Sequence, residues 1–101
     1  MAGFIQIIEF KSSRVDEIKA LVEEMRERHG NDGGALRGTV TADRDRPGYH
    51  LNIVEFDSYE SAMENSKRPE ISEFAQQMAK LCEGPPKFYN LDVVETWSSS
   101  E

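Results

Sequence analysis

Three segments of this chain carry large apolar side chains at both odd and even positions, and no other feature narrows the possible folds as far. They are Phe4-Ile5-Gln6-Ile7-Ile8-Glu9-Phe10, Tyr49 to Phe56, and Phe88 to Trp97. All three are rich in β-branched and aromatic residues and read as strands. Along a strand, successive side chains point to opposite faces. Ile5 and Ile7 therefore oppose Phe4, Ile8 and Phe10. Leu51 and Ile53 oppose Val54 and Phe56, and Leu91 and Val93 oppose Phe88 and Val94. An antiparallel sheet with one wet face would instead alternate apolar with polar residues. Both faces of this sheet need a cover.

One cover comes from helices. Val15, Ile18, Val22, Met25 and His29 recur at spacings of three and four, widened by Leu21, with Glu23, Glu24, Arg26, Glu27 and Arg28 on the other side. Ser13-Arg14-Val15-Asp16 has a capping-box spacing, Gly30 suits a helix end, and Asn31-Asp32-Gly33-Gly34 suits a turn. Leu36 to Ala42 reads as a further strand, joined to Tyr49–Phe56 by a hairpin loop ending in Pro47-Gly48. Asp57-Ser58-Tyr59-Glu60 opens a short helix. A break follows near Ser66-Lys67-Arg68. Pro69 then starts a helix with the stripe Ile71, Phe74, Ala75, Met78, Leu81 and Cys82, stopped by Gly84-Pro85-Pro86.

The order is β-α-β-β-α-β, a ferredoxin-like α+β fold with a four-stranded antiparallel sheet and helices on one face. Residues 1–97 form one domain and 98–101 a flexible tail. The second sheet face then calls for another copy of the chain, so a homodimer is expected. Burying three more large side chains there contributes on the order of 5 kcal/mol.

A net charge of -7 with no basic cluster disfavours nucleic acid and anionic membrane surfaces as partners. No apolar run is long enough to span a bilayer. One cysteine, Cys82, in an apolar stripe and no secretion-type leader fit a cytoplasmic protein. No metal-ligand spacing or phosphate-cradling loop occurs, so neither metal nor cofactor is expected. Asp43-Arg44-Asp45-Arg46 reads as a solvated loop rather than a cation site.

With this element order, the segment Tyr49-His50-Leu51-Asn52-Ile53-Val54-Glu55-Phe56-Asp57-Ser58-Tyr59-Glu60-Ser61-Ala62 and the ending Phe88-Tyr89-Asn90-Leu91-Asp92-Val93-Val94 resemble the dimeric α+β barrel superfamily that includes antibiotic-biosynthesis monooxygenases. The resemblance implies a pocket between helices and sheet in each subunit, and a last strand that reaches across to the partner. It implies a small monooxygenase-like protein, oxidising an aromatic or quinone-type substrate without a cofactor. The alternative is a non-catalytic homodimer binding a small apolar or aromatic ligand. Haem-degrading members resembling this fold carry an Asn on the first strand and a His on the last helix. Here Gln6 stands on the first strand and the last helix has no His.

His50 and Asn52 share strand parity, about 7 Å apart. An imidazole can take a proton near neutral pH, and an amide can hold a developing oxyanion. The competing reading leaves His50 half exposed at the strand start and Asn52 bonded inside the barrel. Asn90 and Asp92 form a second such pair, either as pocket groups, with Asp92 orienting His50, or as interface hydrogen bonders. Tyr49 and Tyr59 would line an aromatic substrate site, or else serve as packing.

Overall fold

A computed structural model of the chain describes residues 3–29 and 35–99. The strands are β1 (Phe4–Lys11), β2 (Ala35–Ala42), β3 (Tyr49–Phe56) and β4 (Lys87–Asp92), and the helices are α1 (Val15–His29), α2 (Tyr59–Ser66) and α3 (Pro69–Leu81). They form one four-stranded sheet in the order β2-β3-β1-β4, with each described strand pairing antiparallel. This is the ferredoxin-like arrangement expected from the element order. The break in the second helical region falls between Ser66 and Pro69, with Pro69 in the first turn of α3. The expected turn at Asn31–Gly34 and cap at Gly30 lie outside the described residues.

Two local expectations are corrected. The residue that braces the start of α1 is Ser12, not Ser13. Ser12 is buried, its Oγ accepts from the Arg14 backbone N–H at 2.9 Å, and it donates to the Leu81 carbonyl at 2.6 Å. Because β1 ends beside the last turn of α3, the inward hydroxyl is the one that finds partners. The second correction concerns the closing strand. The sequence pattern runs to Trp97 but the strand ends at Asp92, after which, among the described residues, the Val93 N–H bonded to the Gly3 carbonyl continues the pairing. The register of β4 with β1 ends at the pair Phe4 and Asp92. Val94 and Trp97 stand 96% and 82% exposed.

Register fixes the faces. Even-numbered β1 residues meet the helices: Phe4 packs with Phe56 and Ala62 in one buried cluster, and Phe10 with Ile18 and Met78 in another. The α2 helix supplies Ala62 and Met63 to the first cluster; α1 and α3 supply the second. α2 is capped by Ser58, whose Oγ accepts from the Ser61 N–H at 3.1 Å. The odd-numbered set, Ile5, Ile7, Leu51, Ile53, Tyr89 and Leu91, lies on the opposite face by the same pairing. One end of that face is polar. Glu9 accepts from the Tyr89 hydroxyl at 3.1 Å and lies 3.5 Å from Arg46.

Candidate functional site

The helix-facing side of the sheet can be laid out as rows running across the strands. Register puts Phe56, Phe4 and Asp92 in the first row. The second holds Gly38, Val54, Gln6 and Asn90, the third Val40, Asn52, Ile8 and Phe88, and the fourth Ala42, His50 and Phe10. Apolar residues of the outer rows feed the two separate buried clusters. Three polar side chains, Gln6, Asn90 and Asn52, stand in the two middle rows, with Asp92 and His50 in the outer ones. Such a break in an otherwise apolar layer is costly unless each polar group finds a partner.

His50 is 8% exposed and stacks on the Phe10 ring, with centroids 5.5 Å apart. Its strand-start position does not leave it half exposed, because Phe10 of the paired strand lies directly against it. Its Nδ1 is buried and has no hydrogen-bond partner among the described residues. Buried ring nitrogens are normally satisfied, and an orphan of this kind asks for an explanation. Asn52, 9% exposed, points the same way one row further along. Gln6 Nε2 donates to Asn90 Oδ1 at 3.1 Å across β1 and β4. Gln6 is adjacent in register to Val54, itself two residues from Asn52, so the two amides are diagonal neighbours about 7–8 Å apart.

The remaining sequence candidates fall elsewhere. Asp92 shares the helix-side parity but pairs with Phe4, whereas His50 pairs with Phe10. Six residues along β1 separate those rows, about 20 Å, so Asp92 does not orient His50 within the protomer. Tyr49 has the opposite parity to His50; its ring lies under the Arg46 guanidinium at 4.5 Å and near the Lys11 ammonium at 5.7 Å. Tyr59 opens α2 and packs edge-on against Phe4 at 5.4 Å, in the first row. The structure thus sets His50 and Asn52 on one face of β3, ties Asn90 to Gln6 two strands away from His50, and places Tyr49, Tyr59 and Asp92 apart from the His50–Asn52 pair.

Gln6 and Gly38 join the group although sequence reasoning did not place them in it. The signal for Gln6 was present: it is the one polar residue among Phe4, Ile8 and Phe10 on that parity of the first strand. Gly38 required the β2–β3 register, which contains a bulge between Ala35 and Arg37.

Asp43 braces the hairpin loop, accepting from Arg46 Nε at 2.8 Å and from the Asp45 N–H at 2.9 Å. Those hydrogen bonds, the Arg46 one first, hold its carboxyl below the usual range. Burial pushes the Cys82 thiol up, which disfavours the reactive thiolate. Among the described residues no three His, Cys, Asp or Glu side chains gather into a group able to hold a metal ion. Nor is any described helix long and apolar enough to cross a membrane.

No family model matches the chain, and no curated protein matches it. Solved structures do. SnoaB, a cofactor-independent oxygenase from Streptomyces nogalater, is similar with a TM-score of 0.79 at 13% identity, covering 98% of this chain and 100% of that one. A protein from Deinococcus radiodurans, described as a candidate antibiotic biosynthesis monooxygenase, gives 0.77 at 15% identity over 97% of this chain and 99% of its own. A conserved protein from Methanosarcina mazei Go1 gives 0.77 at 12% identity, covering 91% and 93%. At such identities the likeness is one of fold. The chain has the ferredoxin-like α+β fold of antibiotic-biosynthesis-monooxygenase structures, as its residues in β3 and β4 led us to expect.

Proposed function

We propose that this chain is a small cofactor-independent oxygenase acting on an aromatic or quinone-type substrate held between sheet and helices, and that it works as a homodimer. The observation that carries the reading is the buried, unpartnered Nδ1 of His50 beside Asn52 on the helix-facing side of the sheet. In the proposed reaction His50 takes a proton from an acidic carbon or hydroxyl of the substrate. Asn52 donates a hydrogen bond to the oxyanion that results. The electron-rich anion passes electrons to dioxygen. At a ring carbon that began with two hydrogens, one oxygen atom becomes a carbonyl and the other leaves as water with both hydrogens. The fold shared with SnoaB supports this class of chemistry.

The dimer is supported by the odd-numbered face of the sheet, whose Ile5, Ile7, Leu51, Ile53 and Leu91 need a cover that the described helices do not give. The exposed Val94 and Trp97 beyond β4 suit a segment that lies on a partner.

The test is oxygen uptake with a panel of hydroquinones and anthrone-type phenols. We expect turnover by the wild type and a loss of about a hundredfold or more in kcat for His50→Ala, with Asn52→Ala also impaired. Unchanged turnover in both variants would remove the assignment. One observation favours a second reading, a binding protein without chemistry: His50 is stacked on Phe10, and no carboxylate among the described residues is hydrogen-bonded to its Nδ1. Ligand retention with no oxygen uptake by the wild type is the result that selects it.

A further inference from the structure

His50 lacks the contact that ordinarily aims an imidazole. A histidine that moves protons is held by a hydrogen bond from its second ring nitrogen to a carboxylate or a carbonyl. Nδ1 of His50 is buried, and no group among the described residues bonds to it. Contact with Phe10 stands in that place. The two residues face each other in register across β1 and β3. Their rings lie 26° from parallel with centroids 5.5 Å apart.

Phe10 is itself fixed. It is buried against Ile18 of α1 and Met78 of α3. The chain just beyond it is fastened to the end of α3 at two points. The Ser12 hydroxyl donates to the Leu81 carbonyl at 2.6 Å, and the Glu83 N–H donates to the Lys11 carbonyl at 2.7 Å. The phenyl ring is therefore a rigid wall that carries the placement of both helices to the imidazole, and a flat group laid on a fixed plane loses its freedom to tilt. The same wall acts on charge. When His50 takes a proton its ring becomes a cation, and the centroid distance is inside the roughly 6 Å over which an aromatic face attracts one. An aliphatic residue in the same space gives packing without that attraction.

We infer that Phe10 is a positioning residue for the proposed proton transfer: its face sets the plane of the His50 imidazole and steadies the imidazolium that forms, the part an orienting carboxylate plays beside other histidine bases. The inference rests on the reading of His50 as the base, and concerns how that base is held rather than what it acts on. Phe10 acts only through His50.

Oxygen uptake with the hydroquinone panel, together with carbon-13 relaxation at the His50 Cε1–H bond, tests this on Phe10→Leu, Phe10→Ile and Phe10→Tyr. The first two keep an apolar side chain in the cluster and remove the aromatic face; the third keeps the face. Each aliphatic variant should lose about tenfold or more in kcat while KM stays within about twofold of the wild type. Its His50 ring should show a lower order parameter under an unaltered circular dichroism spectrum. Phe10→Tyr should recover the ring order and bring kcat back to within about threefold. Two aliphatic variants are used so that one failing to fold leaves the other to decide. A role in packing alone would lower the melting temperature but leave ring order and the kcat of folded protein unchanged, and that result overturns the inference. So does an equal fall in kcat for the aliphatic and Tyr variants. A wild type without turnover removes the oxygenase reading instead. Ring order then decides the Phe10 contact by itself: a drop in Phe10→Leu supports it and no change overturns it.

Discussion

Trp97→Ala probes the homodimer where the effect is largest and the side effects smallest. Trp97 is 82% exposed in the protomer and belongs to neither buried cluster, so its removal should not disturb the fold of one chain. A buried Trp covers roughly 150–250 Å², and at about 25 cal/mol per Å² the exposed part offers about 3–5 kcal/mol per protomer, about 4 at the middle of the range. Interfaces return only part of such area as affinity, and half is a reasonable share, leaving about 2 kcal/mol. A two-fold dimer buries two such residues, so the variant should lose about 4 kcal/mol, close to a thousandfold in the dissociation constant. Sedimentation equilibrium across a dilution series measures it, with thermal unfolding as the control for the protomer. A Trp97→Ala dimer with the wild-type constant would falsify the placement of this segment on a partner. A wild type that stays monomeric at micromolar concentration would remove the dimer altogether.

Three further expectations follow from local geometry. Ser12→Ala should lower unfolding stability by about 1–3 kcal/mol in urea titration, because it strips a buried hydroxyl from both the Leu81 carbonyl and the Arg14 N–H. No change would mean that the tie between β1 and α3 is dispensable. Gly48, at φ +91°, should tolerate alanine poorly, costing about 1 kcal/mol, whereas Gly38→Ala should be close to neutral. Equal melting temperatures for the two variants would contradict that contrast. Asp43 is held below its ordinary value in the folded state. Its contribution is therefore complete above the unfolded-state value and is lost as pH falls through the depressed one. A carboxyl carbon NMR titration should show its midpoint below that of an unpaired Asp and returning upward in Arg46→Ala; an unmoved midpoint would deny the pairing.

The strands and helices were legible because their cause is local. A period of two with β-branched residues, a period near 3.6 with a polar side, and prolines at positions 69 and 85 each act within a few residues. The end of β4 was not legible in the same way. Val93, Val94 and Trp97 are as β-prone as the residues before them, but a strand continues only where a neighbour pairs with it, and the register with β1 ends at Phe4 and Asp92. The start of α1 failed for a related reason. Ser12 and Ser13 are chemically alike, and only the approach of the α3 terminus decides which hydroxyl is enclosed.

For the candidate site the division is sharper. The sequence by itself established that His50 and Asn52 share a face, because alternation along one strand needs no partner. It also established that the sheet is apolar on both sides, and hence that one layer of helices leaves a face to cover. Only the tertiary structure decided which residues of other strands stand beside that pair. Register joins Gln6 to Asn90, brings Gly38 into their row and carries Tyr49, Tyr59 and Asp92 away. Strand pairing depends on contacts between residues more than eighty positions apart, as Gln6 and Asn90 are. A slip of a single residue would turn every one of those side chains to the opposite face.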